Sequence, residues 1–175
     1  MTAPAHIAMI GTPIISHVLP SLPLIRELVK RGHRVTYAND PLVTDQIRSV
    51  GAEFVPVTST LPVKDNDWPA DPIAASALFL ADAIQSLPQL LANYDHPADL
   101  YLYDIGAYAA RALAESQNRP LVQLSPTFVA WEGSIGGIRI VTARTTKAIN
   151  AAAVPKVRLL LALRPWSTIS AFRRV

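Results

Sequence analysis

The sequence of 175 residues contains no cysteine, which excludes disulfide bonds and thiolate chemistry. It has no uninterrupted apolar run near the ~18 residues that cross a bilayer, and its start, MTAPAHIAMI, has no basic segment ahead of the apolar one. We therefore expect no transmembrane segment and no signal peptide. Half of the residues are apolar, so the chain can form one hydrophobic core, and a cytoplasmic protein is the default prediction.

Nucleotide, metal and nucleic-acid motifs are also missing. The sequence has no G-x-G-x-x-G and no Walker loop, which argues against a dehydrogenase or an ATPase. Its four histidines show no zinc-ligand spacing, so we expect no metal site. Neither an RNA-binding aromatic motif nor a zinc finger is present, so we expect no nucleic-acid partner.

Acidic residues are missing after Glu132. Up to that residue, 13 acidic and eight basic residues give a net charge of −5, whereas the remainder has eight basic residues and a charge of +8. The overall charge of +3 therefore comes from a basic tail, residues 134–175, and not from the body of the chain. Three explanations of this tail stay open: a shifted reading frame after Gly133, a helix-rich cap, and a cationic segment that meets an acidic partner or a membrane surface.

Short apolar runs alternate with segments of helical periodicity. The runs predict five strands: His6–Ile10, Val35–Ala38, Glu53–Val57, Leu100–Tyr103 and Pro120–Leu124. The periodic segments predict four helices. The first is opened by Pro20 and Ser21 and stops at Gly32; the others are Pro41–Val50, Ile73–Tyr94 and Tyr108–Ser116. Pro88 is expected to kink or divide the third helix. Between the third strand and the third helix, residues 58–72 form a long loop, and such loops are usually functional or mobile.

This alternation indicates an α/β fold, a Rossmann-like parallel sheet with helices on both faces. The usual strand order places strand one beside strand four, where the winding direction reverses. Ligands bind there, in the crevice outside the carboxyl ends of the strands.

Two residues point to acid–base chemistry in that crevice. His17 follows strand one in a loop, and Asp104 closes strand four. An imidazole whose other ring nitrogen meets a carboxylate can take a proton from a bound alcohol or phenol near neutral pH. The alternatives are an ordinary surface histidine and a helix N-cap aspartate, respectively.

Two long stretches resemble the macrolide-type UDP-glycosyltransferases. They are HIAMIGTPIISHVLPSLPLIRELVKRGHRVTYA and ADLYLYDIGAYAARALAESQNRPLVQLSPTFVAWEG, and DAIQSLPQLL between them fits as well. The likeness runs from about His6 to Gly133. It implies the N-terminal half of a GT-B fold: an acceptor-binding domain, residues 1–133, that faces a second Rossmann-like domain for the UDP-sugar.

The resemblance also implies roles for individual residues. His17 would remove the acceptor proton and Asp104 would pair with it, and the acceptor oxygen would then displace UDP with inversion, without cofactor or metal. By position, the acceptor pocket would be lined by Ile14, Ile15, Trp68, Phe79, Ser125, Phe128 and Trp131. Core packing is the alternative for the apolar members of this set.

The sequence departs from the family in two places. Ile15 and Ser16 stand where the family often has a histidine and a glycine. After Gly133 the likeness fades, and we expect the C-terminal donor domain, with its signature for the UDP diphosphate, to be absent from this chain.

Two classes of function follow from these features. The first is the acceptor half of a glycosyltransferase, which sugars a hydroxyl of a hydrophobic natural product such as a macrolide and depends on a separate donor domain or a homodimer. The second is a non-catalytic protein that binds the same kind of small molecule or assists a full-length enzyme. A truncated, inactive remnant is a third reading.

Overall fold

The computed structural model of the chain describes residues 3–125. Within this range five strands form: β1 His6–Ile10, β2 Arg34–Asn39, β3 Glu53–Pro56, β4 Leu100–Asp104 and β5 Leu121–Leu124. Four α-helices accompany them: α1 Ile15–Lys30, α2 Thr44–Arg48, α3 Pro72–Asn93 and α4 Ala109–Ser116. The predicted domain boundary at Gly133, the basic tail, Phe128 and Trp131 lie outside the described residues.

All five strands join one parallel sheet in the order β3-β2-β1-β4-β5. The predicted neighbours β1 and β4 are therefore confirmed, with Ile10 opposite Tyr103 in the register. The winding direction reverses between these two strands. The residues that follow β1 and close β4 consequently meet at one edge of the sheet, where α/β proteins bind ligands.

The core has two parts because both faces of the sheet are covered. Met9, Val35 and Leu102 face α1 and α2 and pack with Val18, Leu22 and Ile25. On the other face, Ala8, Ile10 and Tyr101 pack against α3 and α4, through residues such as Leu87, Leu90 and Leu113. The helices thus fix the sheet from both sides, as the sequence predicted.

Helix α1 begins earlier than predicted. We expected Pro20 to mark the first helical turn, but the helix starts at Ile15 and contains both Pro20 and Pro23. A proline inside a helix leaves the carbonyl four residues earlier without its partner. Those carbonyls belong to Ser16 and Leu19, which are exposed, so water can satisfy them. His17 consequently lies in the first turn of α1 and not in a loop.

Two further helical predictions need correction. The segment Pro41–Val50 does not form one helix; it is a turn of 3₁₀ helix, Pro41–Val43, followed by the short α2. Helix α3 is continuous through Pro88 and is not divided there. The predicted stop of α1 is confirmed, since Gly32 has φ of +87°, a left-handed conformation that favours glycine.

Side chains of α3 hold the chain that leaves β3. Asn93 donates to the carbonyl of Pro56, and Gln89 bonds both the N–H and the carbonyl of Thr58. Asp82 accepts from the N–H of Thr60 at 2.6 Å. Residues 82, 89 and 93 lie on one stripe of the helix, so the start of the long loop follows α3 in an extended path.

Helix α3 is also long and apolar enough to cross a membrane, with a mean hydropathy of 1.2 over its best window. The sequence analysis expected no transmembrane segment because it found no uninterrupted apolar run near the ~18 residues that cross a bilayer. Ala83, Leu87 and Leu90 of this helix are buried against the sheet. Core packing therefore accounts for part of its apolar character, although only 22% of the apolar window is buried.

Candidate active site

His17 and Asp104 meet at the carboxyl edge of the sheet although 87 positions separate them. The first turn of α1 supplies His17 and the last residue of β4 supplies Asp104. The Nδ1 atom of His17 lies 2.9 Å from Oδ1 and 3.0 Å from Oδ2 of the carboxylate. Asp104 is buried, whereas the His17 side chain remains 20% exposed, so the imidazole still reaches solvent or a ligand.

The Asp104 carboxylate is fixed by two further donors. The Thr12 hydroxyl donates to Oδ2 at 3.0 Å, and the backbone N–H of Gly106 donates to the same atom at 3.1 Å. A buried carboxylate without such donors would be costly, because burial penalises its charged form. These bonds set the plane of the carboxylate and thereby the direction from which it meets His17.

Thr12 is in turn anchored to the neighbouring strand. Its carbonyl accepts a hydrogen bond of 3.0 Å from the side-chain amide of Asn39, the last residue of β2. The Asn39 side-chain oxygen accepts from the N–H of Asp40 at 2.8 Å. Thr12 and Asn39 are both buried. Loops after three strands, β1, β2 and β4, are therefore joined behind the histidine.

The chemistry of the pair follows from its hydrogen bond. An ionised carboxylate only accepts hydrogen bonds, so Nδ1 of His17 carries the hydrogen and Nε2 is left with the lone pair. The hydrogen bond to Asp104 raises the pKa of His17 above 6.5, partial burial opposes this, and the charge of Asp104 adds to it. His17 is thus a base of raised strength with a defined tautomer.

The phenols close to this pair stay protonated near neutral pH. Burial raises the pKa of Tyr37 to about 12, and its hydroxyl lies 3.0 Å from the Ser21 hydroxyl. Burial also raises the pKa of Tyr108, with a smaller contribution from the charge of Asp104. His17 is therefore better suited than either tyrosine to accept a proton near neutral pH.

A cavity of about 230 Å³ opens beside His17 and Asp104. Its wall combines apolar and polar groups; besides the pair itself it is lined by Met9, Pro20, Ser21, Leu24, Gln123, Leu124 and Ser125. Mixed walls of this kind, with one or two reactive groups, are typical of small-molecule sites.

Of the predicted acceptor-binding residues that are described, only Ser125 lines this cavity. Ile14 is half-buried just before α1, and Ile15 is exposed on its first turn. Trp68 and Phe79 stack on each other with ring centroids 5.8 Å apart. The Phe79 ring lies against Gly106, where a Cβ would come within 2.9 Å of it. The aromatic pair thus supports the backbone next to Asp104.

The sequence analysis missed Thr12, Asn39 and Gly106. A usable signal existed for Asn39, because it closes β2 as Asp104 closes β4, and polar residues at the carboxyl ends of adjacent parallel strands come together. Thr12 lies two residues after the end of β1, so it too is a polar residue at the carboxyl end of a strand next to β4. The N–H of Gly106 had none, because a backbone donor is invisible in a residue pattern.

A second histidine–aspartate pair shows what distinguishes the first. His96 and Asp95 also lie 2.9 Å apart, but both side chains are largely exposed and the two residues are neighbours in sequence. Exposed ion pairs of this kind contribute little to stability, because water screens the attraction between their charges. Among residues 3–125, moreover, no three histidine or acidic side chains are grouped so that they could hold a metal ion.

Comparison with known proteins finds glycosyltransferases. The oleandomycin glycosyltransferase of Streptomyces antibioticus is 49% identical over 136 residues, which cover 75% of this chain and 32% of that protein. The NDP-glycosyltransferase YjiC of Bacillus subtilis is 32% identical over 133 residues, 70% of this chain and 32% of that protein. The chain spans about a third of the length of these curated relatives. No protein-family model matches.

Solved structures agree with the sequences. The glycotransferase of kitacinnamycin superposes with a TM-score of 0.70 at 44% identity, over 90% of this chain and 38% of that one. The calicheamicin glycosyltransferase CalG4 superposes with a TM-score of 0.69 at 28% identity, over 92% of this chain and 42% of that one. The chain is therefore homologous to macrolide and antibiotic glycosyltransferases and corresponds to the N-terminal part of these GT-B enzymes.

Proposed function

We propose that this chain binds the acceptor in a sugar transfer and that His17 is the base that activates it. The acceptor is a hydrophobic natural product with a free hydroxyl, such as a macrolide, and the sugar comes from a UDP-sugar, a co-substrate. The observation that carries the proposal is the bond between Nδ1 of His17 and the buried Asp104 carboxylate, beside a cavity whose wall combines apolar and polar groups.

The proton has a defined path in this reaction. Nε2 of His17 takes the proton of the acceptor hydroxyl as its oxygen bonds to the anomeric carbon of the sugar. The bond from that carbon to UDP breaks, and the nucleotide leaves with the electron pair. One displacement inverts the anomeric centre and forms no covalent enzyme intermediate. Asp104 holds the Nδ1 hydrogen and stabilises the imidazolium that forms.

The cavity suits the part of an acceptor that carries the reacting hydroxyl. Met9, Leu24 and Leu124 offer apolar contacts beside the pair. A volume of about 230 Å³ is smaller than a whole macrolide requires, since sites for drug-sized ligands span roughly 300–1,000 Å³. The remainder of the acceptor would lie outside, where Ile15 and Leu19 of α1 are exposed apolar side chains.

The sugar nucleotide needs further protein. The chain corresponds to the N-terminal part of its relatives, which the resemblance assigns to the acceptor, so we propose that the donor site is supplied by a separate donor domain or across a homodimer. A cytoplasmic location follows as an expectation, because UDP-sugars are the co-substrates.

The test combines the chain with the donor half of the oleandomycin relative. Oleandomycin and a flavonoid serve as acceptors and UDP-glucose as donor, and product is measured by mass spectrometry. We expect transfer with the wild type, and a loss of about 10²- to 10⁴-fold with His17→Gln. His96→Gln is the matched control, because it removes an imidazole from the exposed pair and should leave transfer unchanged. Full activity of His17→Gln would refute the assignment.

A non-catalytic protein that binds the same kind of small molecule is the second candidate, because the cavity beside His17 can hold part of such a ligand without any reaction. It predicts that isothermal titration calorimetry detects acceptor binding, while no product forms with any donor half. Transfer that depends on His17 would exclude this candidate.

A further inference from the structure

We propose that Thr12 is a positioning residue for the base: its hydroxyl fixes the Asp104 carboxylate and thereby the orientation of the His17 ring. The inference rests on the proposed function, since it assigns a role in the same proton transfer. Asn39 supports this role by anchoring the Thr12 backbone.

The hydroxyl and the carbonyl of Thr12 bond to residues of two different strands, β4 and β2. The hydroxyl donates to Oδ2 of Asp104 at 3.0 Å, and the carbonyl accepts from the side chain of Asn39 at 3.0 Å. The methyl carbon lies 3.1 Å from where a Cβ would stand on Gly106, whose N–H donates to the same Oδ2. Thr12 is only 2% exposed, so solvent cannot replace its hydroxyl readily.

The hydroxyl matters because a carboxylate beside an imidazole can rotate. Both oxygens of Asp104 lie within 3.0 Å of Nδ1, so the histidine alone does not choose between them. Donors from Thr12 and Gly106 converge on Oδ2 and hold it, which directs Oδ1 toward His17. Either oxygen keeps the hydrogen on Nδ1, and a fixed carboxylate also holds the imidazole ring in one orientation, with Nε2 as the proton acceptor.

The variant Thr12→Val removes this hydroxyl and keeps the shape of the side chain. We expect kcat to fall about tenfold with the acceptor KM unchanged, since a hydrogen bond to a charged group is lost without loss of ligand contacts. Thr12→Ser restores the donor and should recover kcat to within about twofold. Thr36→Val is the matched control, because Thr36 is a buried threonine of β2 that bonds Tyr94 and His6 instead.

A double-mutant cycle separates positioning from a structural role. If Thr12 acts through Asp104, Thr12→Val should cost little further activity once Asp104→Asn is present. An equal cost in both backgrounds, or wild-type kcat in Thr12→Val, would overturn the inference.

A measurement without turnover keeps this test independent of the proposed function. Nitrogen NMR of the labelled full chain detects the Nδ1–H of His17 and the environment of its hydrogen bond. We expect one sharp Nδ1–H signal at the same chemical shift in the wild type and in Thr12→Ser, and a shifted or broadened signal in Thr12→Val, because the carboxylate is then less constrained. If the wild type transfers no sugar but this pattern holds, the positioning stands and the proposed reaction fails. An Nδ1–H signal in Thr12→Val that matches the wild type refutes the positioning.

Discussion

Replacing Asp104 by asparagine should reverse the tautomer of His17 and remove a pH-dependent part of the stability. The carboxylate accepts from three groups: Nδ1 of His17, the Thr12 hydroxyl and the N–H of Gly106. An amide can keep only one oxygen, and the two donors at Oδ2 will retain it there. The NH₂ group then faces Nδ1, so His17 must place its hydrogen on Nε2 and can no longer accept a proton from the acceptor.

The stability effect has a definite sign. Because Asp104 raises the pKa of His17, the pair stabilises the fold fully below pH 6.5 and loses this contribution as the pH rises through the raised value. With Asp104 buried and the His17 side chain one-fifth exposed, the contribution lies between that of a buried charged hydrogen bond and that of a surface pair, about 1–2 kcal/mol.

Urea unfolding of the chain at about pH 5.5 and about pH 9 measures this contribution. In the wild type, we expect the free energy of unfolding to fall between the two pH values by the contribution of the pair. In Asp104→Asn, this fall should be absent. Asp95→Asn is the control, since it alters the exposed pair with His96 and should retain the fall. If the free energies of unfolding of Asp104→Asn and wild type run parallel across this pH range, the coupling between His17 and Asp104 is refuted.

Two other predictions concern the surroundings of the pair. Gly106→Ala should lower the free energy of unfolding by about 1–3 kcal/mol, because the new Cβ would stand 2.9 Å from the Phe79 ring. Urea unfolding measures this loss, and adding Phe79→Leu to the same chain should recover part of it. Leu24→Asp should weaken acceptor binding, because it replaces an apolar contact in the cavity by a charge. Leu24 is 40% exposed, so the fold tolerates the change. Calorimetry with oleandomycin checks this, and unchanged affinity would remove Leu24 from the acceptor site.

The fold was predictable because its signals are local. Each strand is a short apolar run bounded by glycine, proline or polar residues, and β1 was predicted with the bounds observed. Parallel α/β topology then brings β1 beside β4 without further information, and so His17 beside Asp104. Comparison with known proteins confirms the family that the residues around both had suggested.

The errors have physical causes that a residue pattern does not contain. Pro20 indicated a helix start, but a proline deeper in a helix is tolerated where the freed carbonyl faces water, as at Ser16. The assignment of Trp68 and Phe79 to the acceptor pocket stays a prediction; the sequence did not show that they stack on each other or that Phe79 packs on Gly106. Where a helix starts and what an aromatic side chain contacts depend on residues distant in sequence, and the spacing of residues along the chain does not show these contacts.

The pH dependence of kcat/KM for the acceptor tests the central claim most directly, with the donor half supplied as above. The account predicts that kcat/KM rises with pH and levels off through one inflection above pH 6.5, because His17 must be neutral to accept the proton and Asp104 raises its pKa. His17→Gln should lose this inflection together with most of the activity. A wild-type profile without the inflection, or the same inflection in His17→Gln, would contradict the account.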